Sequence, residues 1–352
     1  MKNKEIKILA MSTDFEHHGE QFGYRQILNF IRPTYLLGLN FREKEKSNNS
    51  ILVKYSWIFE FFGLPYRNKI DLVHILYGED YFRWSCRLFN KPIIVTFHQP
   101  PSILKKEILY GNAKGRLWGL THFFNKKRFS KISAAIVLTK PQKQVLKLVM
   151  DESKIHVIPH GVYLENSNLC YEQFKPELIK QKEVVTVGGW LRDWKFFFKI
   201  VDACPSIHFH IVNKNLEYPM RRRATETKNV TYHGNINNKG LTNLFLSSSL
   251  LFLPVKEIAG SNALIQSISL GCPVLVSKVD GDENFQENQP FIRAYKKGDI
   301  NSCKAILTEI VNLPLKEMEL LRNDAFEHAQ KFSWQKIAEQ TLKIYEQTLA
   351  NS

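Results

Sequence analysis

Short apolar runs alternate with segments of helical periodicity over the first 150 residues. The strand-like runs lie at residues 6–11, 71–76, 92–97 and 134–139, and the helical patterns occupy residues 21–30 and 141–150. Pro141 lies in the first turn of the second helix, where proline is tolerated because no helical hydrogen bond is lost there. Nearly continuous apolar runs between helices are typical of a parallel sheet covered on both faces. The pattern therefore predicts an α/β domain.

The same pattern starts again after residue 182. Strand-like runs follow at residues 183–187, 207–212, 230–233, 250–253 and 273–276, with a helix at 195–203. Residues 163–182 are polar and weakly periodic, and we interpret them as a linker. A last amphipathic helix covers residues 333–349, with Ser333 as its N-cap. We predict two doubly wound α/β domains, residues 1–165 and 166–332, and a terminal helix, residues 333–352, that packs back on the first domain.

Length and composition agree with two packed domains. The chain has 352 residues, of which 44% are hydrophobic and 24% charged, and a domain usually takes about 150 residues. Five cysteines without a C-x-x-C pair argue against a disulfide framework and a structural zinc site. No signal peptide is recognisable at the N-terminus, and the longest apolar-leaning stretch, residues 51–66, is too short for a membrane span. We therefore expect a soluble, cytoplasmic protein.

The positive charge is concentrated in the first half of the chain. Lys and Arg number 49 against 34 Asp and Glu, and of the resulting +15, residues 1–165 carry +12. Residues 105–147 contain eleven basic side chains and one acidic one, Glu107, with aromatic residues between them. Such a segment suits nucleic acid, an anionic membrane or plain solvent. No zinc-finger, helix-turn-helix or RNP-type motif supports a nucleic-acid-binding protein.

One segment of the second half combines the features of an anion site. An apolar strand at residues 250–253 ends at Pro254, an acidic loop follows, and a helix begins near Ser261. Gly260, Ser261 and Asn262 would present backbone N–H groups and the positive end of the helix dipole to an anion. Gly271 ends the helix. An ordinary strand–loop–helix unit with a capped start has the same local pattern, so both interpretations stay open at this point.

Several segments, in order and at matching spacing, resemble retaining GT-B glycosyltransferases of the family-four (group 1) type. Asn262-Ala263, Gly271 and Pro273-Val274 match the donor-binding signature of that family. Further matching segments are VIPHGV at residues 157–162, TVGG at 186–189, VTYHG at 230–234 and FSW at 332–334. The resemblance covers most of residues 90–350. It implies a GT-B fold, in which two Rossmann-like domains face each other across a cleft.

The resemblance also implies a reaction and its partners. Family members move a sugar from a nucleotide-diphosphate sugar to a saccharide or lipid-linked acceptor with retention of anomeric configuration, often in envelope polysaccharide or glycolipid synthesis. An arginine and a lysine after the Val-Gly turn neutralise the leaving diphosphate. Here Lys195 has the usual spacing, Gly189 belongs to the turn, and Arg192 lies two residues beyond the usual arginine position. Two solvated side chains at a helix start are the alternative interpretation of Lys195 and Arg192.

Two glutamates of the family pattern hold the donor sugar and the nucleotide ribose. Here the loop acid is Glu257, eight residues ahead of the helix position instead of seven, and the helix position is Gln266. The carbonyl oxygen of a glutamine can still bond a hydroxyl group. Together with Gly260, Ser261 and Asn262 these residues form the predicted donor site. The two departures also fit a catalytically silent relative that acts as a binding protein.

In the first domain, His98 follows the strand at residues 92–97, and the resemblance implies that it contacts the transferred sugar. A purely structural histidine is the alternative. Gly19 and Gly23 loosely match the family's glycine-containing loop near the donor phosphate and the acceptor. Because they do not form a G-x-G-x-x-G pattern, they do not support a dinucleotide site. We interpret His160 as a turn residue.

Asp280-Gly281-Asp282 spells the Asp-x-Asp motif of metal-dependent glycosyltransferases with a different fold. There, paired carboxylates hold a divalent cation on the diphosphate. In the present two-domain pattern the motif follows a strand of the donor domain, where the family has no metal site. We therefore expect a polar turn, no metal and no cofactor besides the nucleotide-sugar substrate.

The basic aromatic segment also suits an anionic membrane. Family members often work on lipid-linked substrates at the cytoplasmic face, which suggests peripheral attachment through residues 117–131. The residues of this expected membrane patch are Trp118, Lys126, Lys127, Arg128 and Lys131. Basic side chains contribute about 1 kcal/mol each at an anionic surface, and aromatic side chains anchor at the interface. A solvated helix face with core aromatics is the alternative.

Overall fold

Two compact α/β units make up the chain in the computed structural model, which describes residues 5–14, 23–39, 56–110, 126–172, 174–279 and 289–352. The first unit comprises Met1–Gly161 together with Trp334–Ser352, and the second comprises Val162–Ser333. The chain therefore leaves the first unit after Gly161 and returns to it for its last helix.

The first unit is built on a six-stranded parallel sheet in the order β2-β1-β3-β4-β5-β6. The strands are β1 (Ile8–Met11), β2 (Tyr35–Leu37), β3 (Leu72–Ile75), β4 (Ile93–Phe97), β5 (Ala134–Val137) and β6 (Ile155–Val157). The α-helices between them are α1 (Leu28–Ile31), α2 (Phe59–Phe62), α3 (Gly78–Tyr81), α4 (Ser85–Leu88), α5 (Pro101–Tyr110) and α6 (Lys140–Leu146). Short 3-10 helices occupy Tyr24–Ile27, Ser56–Ile58, Leu64–Tyr66 and Glu152–Lys154, and residues 126–129 are helical.

Four strands of this sheet, β1, β3, β4 and β5, are buried along their whole length. This burial explains their continuous apolar sequence. Gly78 begins α3 directly against β4, where a side chain has no room: its Cβ would lie 2.5 Å from Val95 Cγ1 and 2.7 Å from Phe97 Cε1. The close approach places Glu79 beside the carboxyl end of β4.

The second unit has its own six-stranded parallel sheet in the order β12-β11-β10-β7-β8-β9. The strands are β7 (Lys180–Val187), β8 (His208–Val212), β9 (Val230–Tyr232), β10 (Ser248–Leu253), β11 (Val274–Lys278) and β12 (Ile292–Lys296). The α-helices are α7 (Leu164–Glu172), α8 (Trp194–Ala203), α9 (Tyr218–Glu226), α10 (Asn238–Ser247), α11 (Asn262–Ser269), α12 (Ile300–Val311) and α13 (Leu315–Ala329). Pro176–Leu178 and Gln330–Phe332 are 3-10 helices.

Apolar side chains cover both faces of the second sheet. Val184 belongs to one buried cluster with Phe197 of α8, and its neighbour Val185 belongs to another with Leu264 of α11. Successive residues of a strand point to opposite faces. The sheet is therefore the middle layer between two helical layers, as the doubly wound pattern predicts.

The predicted linker at residues 163–182 is wrong, because most of this segment is regular secondary structure of the second unit. It contains α7, the 3-10 helix Pro176–Leu178 and the start of β7 at Lys180. Leu164 and Cys170 of α7 pack against the apolar cluster around α11, and Ser167 Oγ lies 3.1 Å from Ser269 Oγ. The helix buries few large apolar residues, so its periodicity in the sequence is weak.

The last helix, α14 (Trp334–Ala350), belongs to the first unit. Its Tyr345 hydroxyl lies 2.5 Å from His74 Nδ1, and His74 Nε2 lies 2.9 Å from Thr96 Oγ1. Burial lowers the pKa of His74 to about 3, so this ring is neutral near pH 7. The helix is thus joined to β3 and β4 by a buried polar chain as well as by apolar packing.

Candidate functional site

The candidate site of the second unit lies where β7 and β10 end. The segments after these two neighbouring strands pair with each other through a short antiparallel bridge. The backbone N–H of Asp193 donates to the Pro254 carbonyl at 2.7 Å, and that of Lys256 donates to the Leu191 carbonyl at 2.8 Å. Ligands of doubly wound sheets bind at the carboxyl ends of strands. We call the paired segments 188–195 and 254–262 the donor platform.

Three glycines shape the donor platform. Gly188 has φ +82° and Gly260 has φ +72°, a left-handed conformation that favours glycine. A Cβ on Gly189 would lie 2.8 Å from Asn213 Nδ2, so the Asn213 side chain would have to shift. Of the two glycines predicted from the sequence, Gly260 is thus favoured by its backbone conformation, and Gly189 is limited by a neighbouring side chain. Without side chains they also leave the platform backbone accessible to a ligand.

Two helices begin at the donor platform. The Asp193 carboxylate caps α8 by accepting from the Phe196 N–H at 3.1 Å. Ser261, near which the sequence predicts a helix start, caps α11 by accepting from the Leu264 N–H at 3.3 Å. The remaining N–H groups of each first turn and the positive helix dipoles favour an anion at this edge of the sheet.

The two predicted cations differ in their surroundings. Lys195 lies in the first turn of α8 with an exposed side chain. Arg192 donates from Nε and Nη2 to the Val187 carbonyl at 3.1 and 2.9 Å, which holds its guanidinium against the turn after β7. Burial lowers the pKa of Arg192 to about 10, so it stays cationic near neutral pH. The exposed Lys195 side chain can move its ammonium group towards a bound ligand. The Arg192 guanidinium, held on the Val187 carbonyl, contributes a positive charge at a fixed position.

The remaining predicted donor contacts surround the start of α11. Asn262 and Gln266 are spaced i, i+4 and so share one face of this helix, and both are half-buried. Glu257 is half-buried in the loop that leads into the helix. The structure therefore brings Glu257, Asn262 and Gln266 to the platform that holds Gly260 and Ser261.

His98 is the predicted site residue of the first unit, and it lies at the carboxyl end of β4. Its ring stacks on Tyr77 with the centroids 4.6 Å apart, and it meets the edge of Tyr24 at 4.7 Å. Its Nδ1 lies 3.4 Å from Glu79 Oε1. The sequence reasoning missed these three neighbours. The strand-end position of residues 77–79 was the available signal, because parallel strands bring their carboxyl ends to one edge.

Charged groups are paired around this position. The Arg83 guanidinium lies 3.5 Å from Glu107 Oε1. Burial raises the pKa of Glu107, and burial together with Glu79 and Glu107 raises the pKa of Asp80 to about 7. The Asp14 carboxylate lies 3.6 Å from Arg25 Nε at the end of β1. Carboxylates and hydrogen-bonding rings thus line the carboxyl edge of the first sheet.

Two predictions for the first unit need correction. His160 is not a turn residue: it is buried, its Nδ1 lies 2.7 Å from the Gly161 carbonyl oxygen, and its ring contacts Tyr24 and Trp334. Burial lowers its pKa to about 4. Arg128 is not available to a membrane, because its guanidinium is half-buried over the rings of Phe82 and Phe129.

The other predicted residues are distributed as follows. Lys126, Lys127 and Lys131 are exposed. Gly23 precedes the 3-10 helix Tyr24–Ile27 with φ +95°. Gly19, Trp118 and the Asp280-Gly281-Asp282 segment lie outside the described residues. Within the described residues, no three His, Cys, Asp or Glu side chains are arranged to hold a metal ion.

The model of the family Glycosyltransferase Family 4 matches residues 5–166. No curated protein sequence matches the chain. Sucrose-phosphate synthase from Thermosynechococcus elongatus is similar in structure, with a TM-score of 0.71 and 15% identity over 98% of this chain and 100% of its own. A glycosyltransferase from Rickettsia africae has a TM-score of 0.64 and 17% identity over 99% and 100% of the two chains.

Anabaena HepE in complex with UDP-glucose has a TM-score of 0.67 and 12% identity over 99% of this chain and 100% of its own. At these identities the solved structures establish the fold, and they cover both units. The family model matches the first unit, and the donor platform occupies the strand ends of the second. The family model thus matches the first unit, and the whole chain has the GT-B fold of these solved structures.

Proposed function

We propose that the protein transfers a sugar from a nucleotide-diphosphate sugar to a saccharide or lipid-linked acceptor, with retention of anomeric configuration and without a metal. One observation carries the proposal. The donor platform places Lys195, Arg192 and the N-termini of α8 and α11 at one edge of the second sheet. Fixed cations and N–H donors at this edge would neutralise the charge that develops on the departing diphosphate.

The other residues have distinct roles in this proposal. Glu257 and Gln266 accept hydrogen bonds from hydroxyl groups of the donor sugar and the ribose. His98 of the first unit contacts the transferred sugar. The complexes of HepE with UDP-glucose and with UDP and glucose support a nucleotide-sugar donor. Synthesis of envelope polysaccharide or glycolipid is the proposed setting.

Lys195→Ala tests the proposal, with Lys199→Ala as its matched control. Both lysines are exposed on α8 one helical turn apart, and only Lys195 lies in the first turn beside the donor platform. Turnover is measured with UDP-, GDP- and dTDP-sugars, after a thermal-shift screen has found the donor that stabilises the fold. We expect a loss of about 100-fold or more in kcat for Lys195→Ala, the size reported for removing one charge-stabilising donor.

The control and the alternative give different results. Lys199→Ala should retain wild-type turnover, and both variants should unfold at the wild-type temperature. Equal turnover in Lys195→Ala and wild type would contradict the proposed site. Binding of a sugar nucleotide without turnover for any donor would instead support the catalytically silent relative that Gln266 and the longer loop suggest.

We also propose that the protein works at the cytoplasmic face of an anionic membrane. Among the described residues, no helix is both long and apolar enough to cross a bilayer. An aromatic patch on α2, the 3-10 helix before it and the residue before α4 supports attachment: Ile58, Phe61, Phe62 and Trp84 are all more than a third exposed. The Phe61 and Trp84 rings lie 6.3 Å apart, and the Arg87 guanidinium lies 5.4 Å from the Trp84 ring.

Buried contacts join the aromatic patch to the segment that carries exposed lysines. The buried Glu60 carboxylate accepts from the backbone N–H groups of Arg83, Trp84 and Ser85, which fixes the start of α4 to α2. Cys86 of α4 contacts the Arg128 carbonyl oxygen at 3.4 Å, so α4 lies against the segment that carries Lys126 and Lys127. Aromatic and basic side chains at one surface are the combination that peripheral attachment uses.

A further inference from the structure

The ring of His98 is held by three neighbours. Tyr77 stacks on one face and Tyr24 meets the ring with its edge. The third neighbour is the Glu79 carboxylate, whose Oε1 lies 3.4 Å from Nδ1 and whose Oε2 accepts from the His98 backbone N–H at 3.5 Å. The two side chains are 16% and 15% exposed. This packing restricts the orientations that the ring can adopt.

The two ring nitrogens of His98 have different surroundings. A neutral imidazole carries one proton, on Nδ1 or on Nε2. An ionised carboxylate accepts hydrogen bonds and cannot donate them, so its position beside Nδ1 favours the Nδ1–H tautomer. Neither ring nitrogen has a hydrogen-bond partner among the described residues, since the 3.4 Å approach of Nδ1 to Glu79 is an ion-pair distance. In the Nδ1–H tautomer, Nε2 presents its lone pair. A buried polar atom without a partner is unfavourable, and a role in catalysis is one explanation for such an atom.

We propose that Glu79 is a positioning residue for sugar transfer. It holds the imidazole proton on Nδ1, so that Nε2 of His98 accepts a hydrogen bond from a hydroxyl group of the transferred sugar. The role rests on the proposed function, in which His98 contacts that sugar. Contacts of this kind are often long in an unliganded protein and shorten with substrate, which fits the 3.4 Å separation.

The fold holds Glu79 in place through its backbone. Gly78 lets α3 begin against β4, and the Glu79 carbonyl accepts from Arg83 Nη2 at 3.0 Å. The next carboxylate, Asp80, bonds Thr13 instead. Adjacent carboxylates on one short helix therefore have different partners, which makes Asp80→Asn a matched control for the removal of Glu79.

The tautomer of His98 is measurable without a substrate. In protein labelled with ¹⁵N-histidine, the ring nitrogen shifts and two-bond couplings distinguish Nδ1–H from Nε2–H, and His98→Gln identifies the signals. We expect the Nδ1–H form in the wild type and in Asp80→Asn, and a gain of the Nε2–H form in Glu79→Ala. An unchanged His98 tautomer in Glu79→Ala would overturn the positioning role.

Kinetics then connects the tautomer with the reaction. With the donor selected by the thermal-shift screen, Glu79→Ala should lower kcat about 10- to 100-fold, the effect of a small misplacement of a contact group, with a smaller change in KM. Glu79→Gln keeps the shape, and its carbonyl oxygen can accept from Nδ1–H, so it should recover most of the loss. Asp80→Asn should stay within about twofold of the wild type, because asparagine keeps the shape of the side chain and its oxygen can still accept from Thr13.

The outcomes separate this inference from the proposed function. Equal kcat in Glu79→Ala and wild type, with an active enzyme, would reject the positioning role even if the tautomer changes. No turnover by the wild type with any donor, combined with the expected tautomer change, would count against sugar transfer and leave the Glu79–His98 pair supported. If Glu79→Ala does not fold, both measurements are made on Glu79→Gln. A loss of kcat in Glu79→Gln as large as the loss in His98→Gln would then reject the rescue by the glutamine carbonyl and, with it, the role of Glu79 in setting the tautomer.

Discussion

At the scale of single residues, the surroundings of the Asp80 carboxyl group disfavour its ionised form. Burial, and then Glu79 and Glu107, raise its pKa to about 7, while Arg83 and Thr13 act in the opposite direction. In the unfolded chain an aspartate has a pKa of about 4. Between about pH 4 and pH 7 the folded protein therefore holds a proton that the unfolded chain releases. The stabilising contribution of this group is lost as the pH rises through the folded pKa.

Asp80→Asn should therefore gain stability relative to the wild type as the pH rises. Asparagine mimics the protonated carboxyl and does not titrate. Between about pH 5 and pH 8 the difference in the free energy of unfolding should shift by about 2 kcal/mol in favour of the variant. Urea unfolding of both proteins at the two pH values measures it. The same difference at both pH values would show that Asp80 is ionised in the folded state throughout.

Local pattern predicted some site residues and missed others. The helix start at Ser261 was predictable because a helix start has a local signature of cap and glycine, whereas Lys195 was predicted from the resemblance to a family pattern. Glu79 was not, because it is 19 residues from His98 and meets it only through the pairing of β3 with β4. The inward turn of Arg128 was missed for a similar reason, since its partners Phe82 and Phe129 become a pair only in the folded unit.

At the scale of elements, the end of the first unit is closed by a contact between α14 and the segment after β6. Trp334 is 1% exposed and packs on Tyr24 and His160. A Cβ on Gly161 would lie 2.5 Å from the indole of Trp334. The indole is rigid and buried on its other sides, so it has little room to yield. The start of α14 therefore packs against this segment only because residue 161 has no side chain.

Gly161→Ala should destabilise the first unit by about 1 to 3 kcal/mol, the usual cost of an added methyl group in a packed core. Thermal and urea unfolding measure the loss. In the Trp334→Leu background the same substitution should cost much less, because the smaller side chain leaves space for the methyl group. Equal costs in the two backgrounds would show that the strain does not come from the indole.

The elements of the two sheets followed from sequence because buried parallel strands have a distinctive apolar pattern. Where the pattern is weak, the elements were missed, as with α7, which buries few large side chains. The boundary between the units lies at Gly161–Val162, four residues before the one read from the sequence. At that boundary the Val162 N–H donates to the Phe332 carbonyl at 2.9 Å, a pairing of two distant segments that no local pattern contains.

At the scale of the whole molecule, the excess of positive charge belongs to the first 165 residues. Part of it is neutralised within the unit, because Arg25, Arg83 and Lys147 pair with carboxylates. Lys126, Lys127 and Lys131 are exposed, and the first two lie on the segment that adjoins the aromatic patch. The positive charge that is not paired within the unit is thus concentrated at one place, with apolar side chains beside it. This combination favours binding to a membrane surface over long-range attraction by the net charge of the protein.

Charge reversal of these three lysines to glutamate tests the surface directly. The matched control reverses Lys228, Lys304 and Lys316, which are exposed on the second unit and change the net charge equally. We expect the wild type to bind vesicles that contain phosphatidylglycerol and to ignore phosphatidylcholine alone. Loss of three contacts of about 1 kcal/mol each lowers the affinity about 100-fold, and the control should bind nearly as the wild type does. Equal weakening of vesicle binding in both triple variants would show that binding depends on net charge alone. Loss of vesicle binding in Trp84→Ala, with all three lysines intact, would show that the aromatic patch inserts into the membrane.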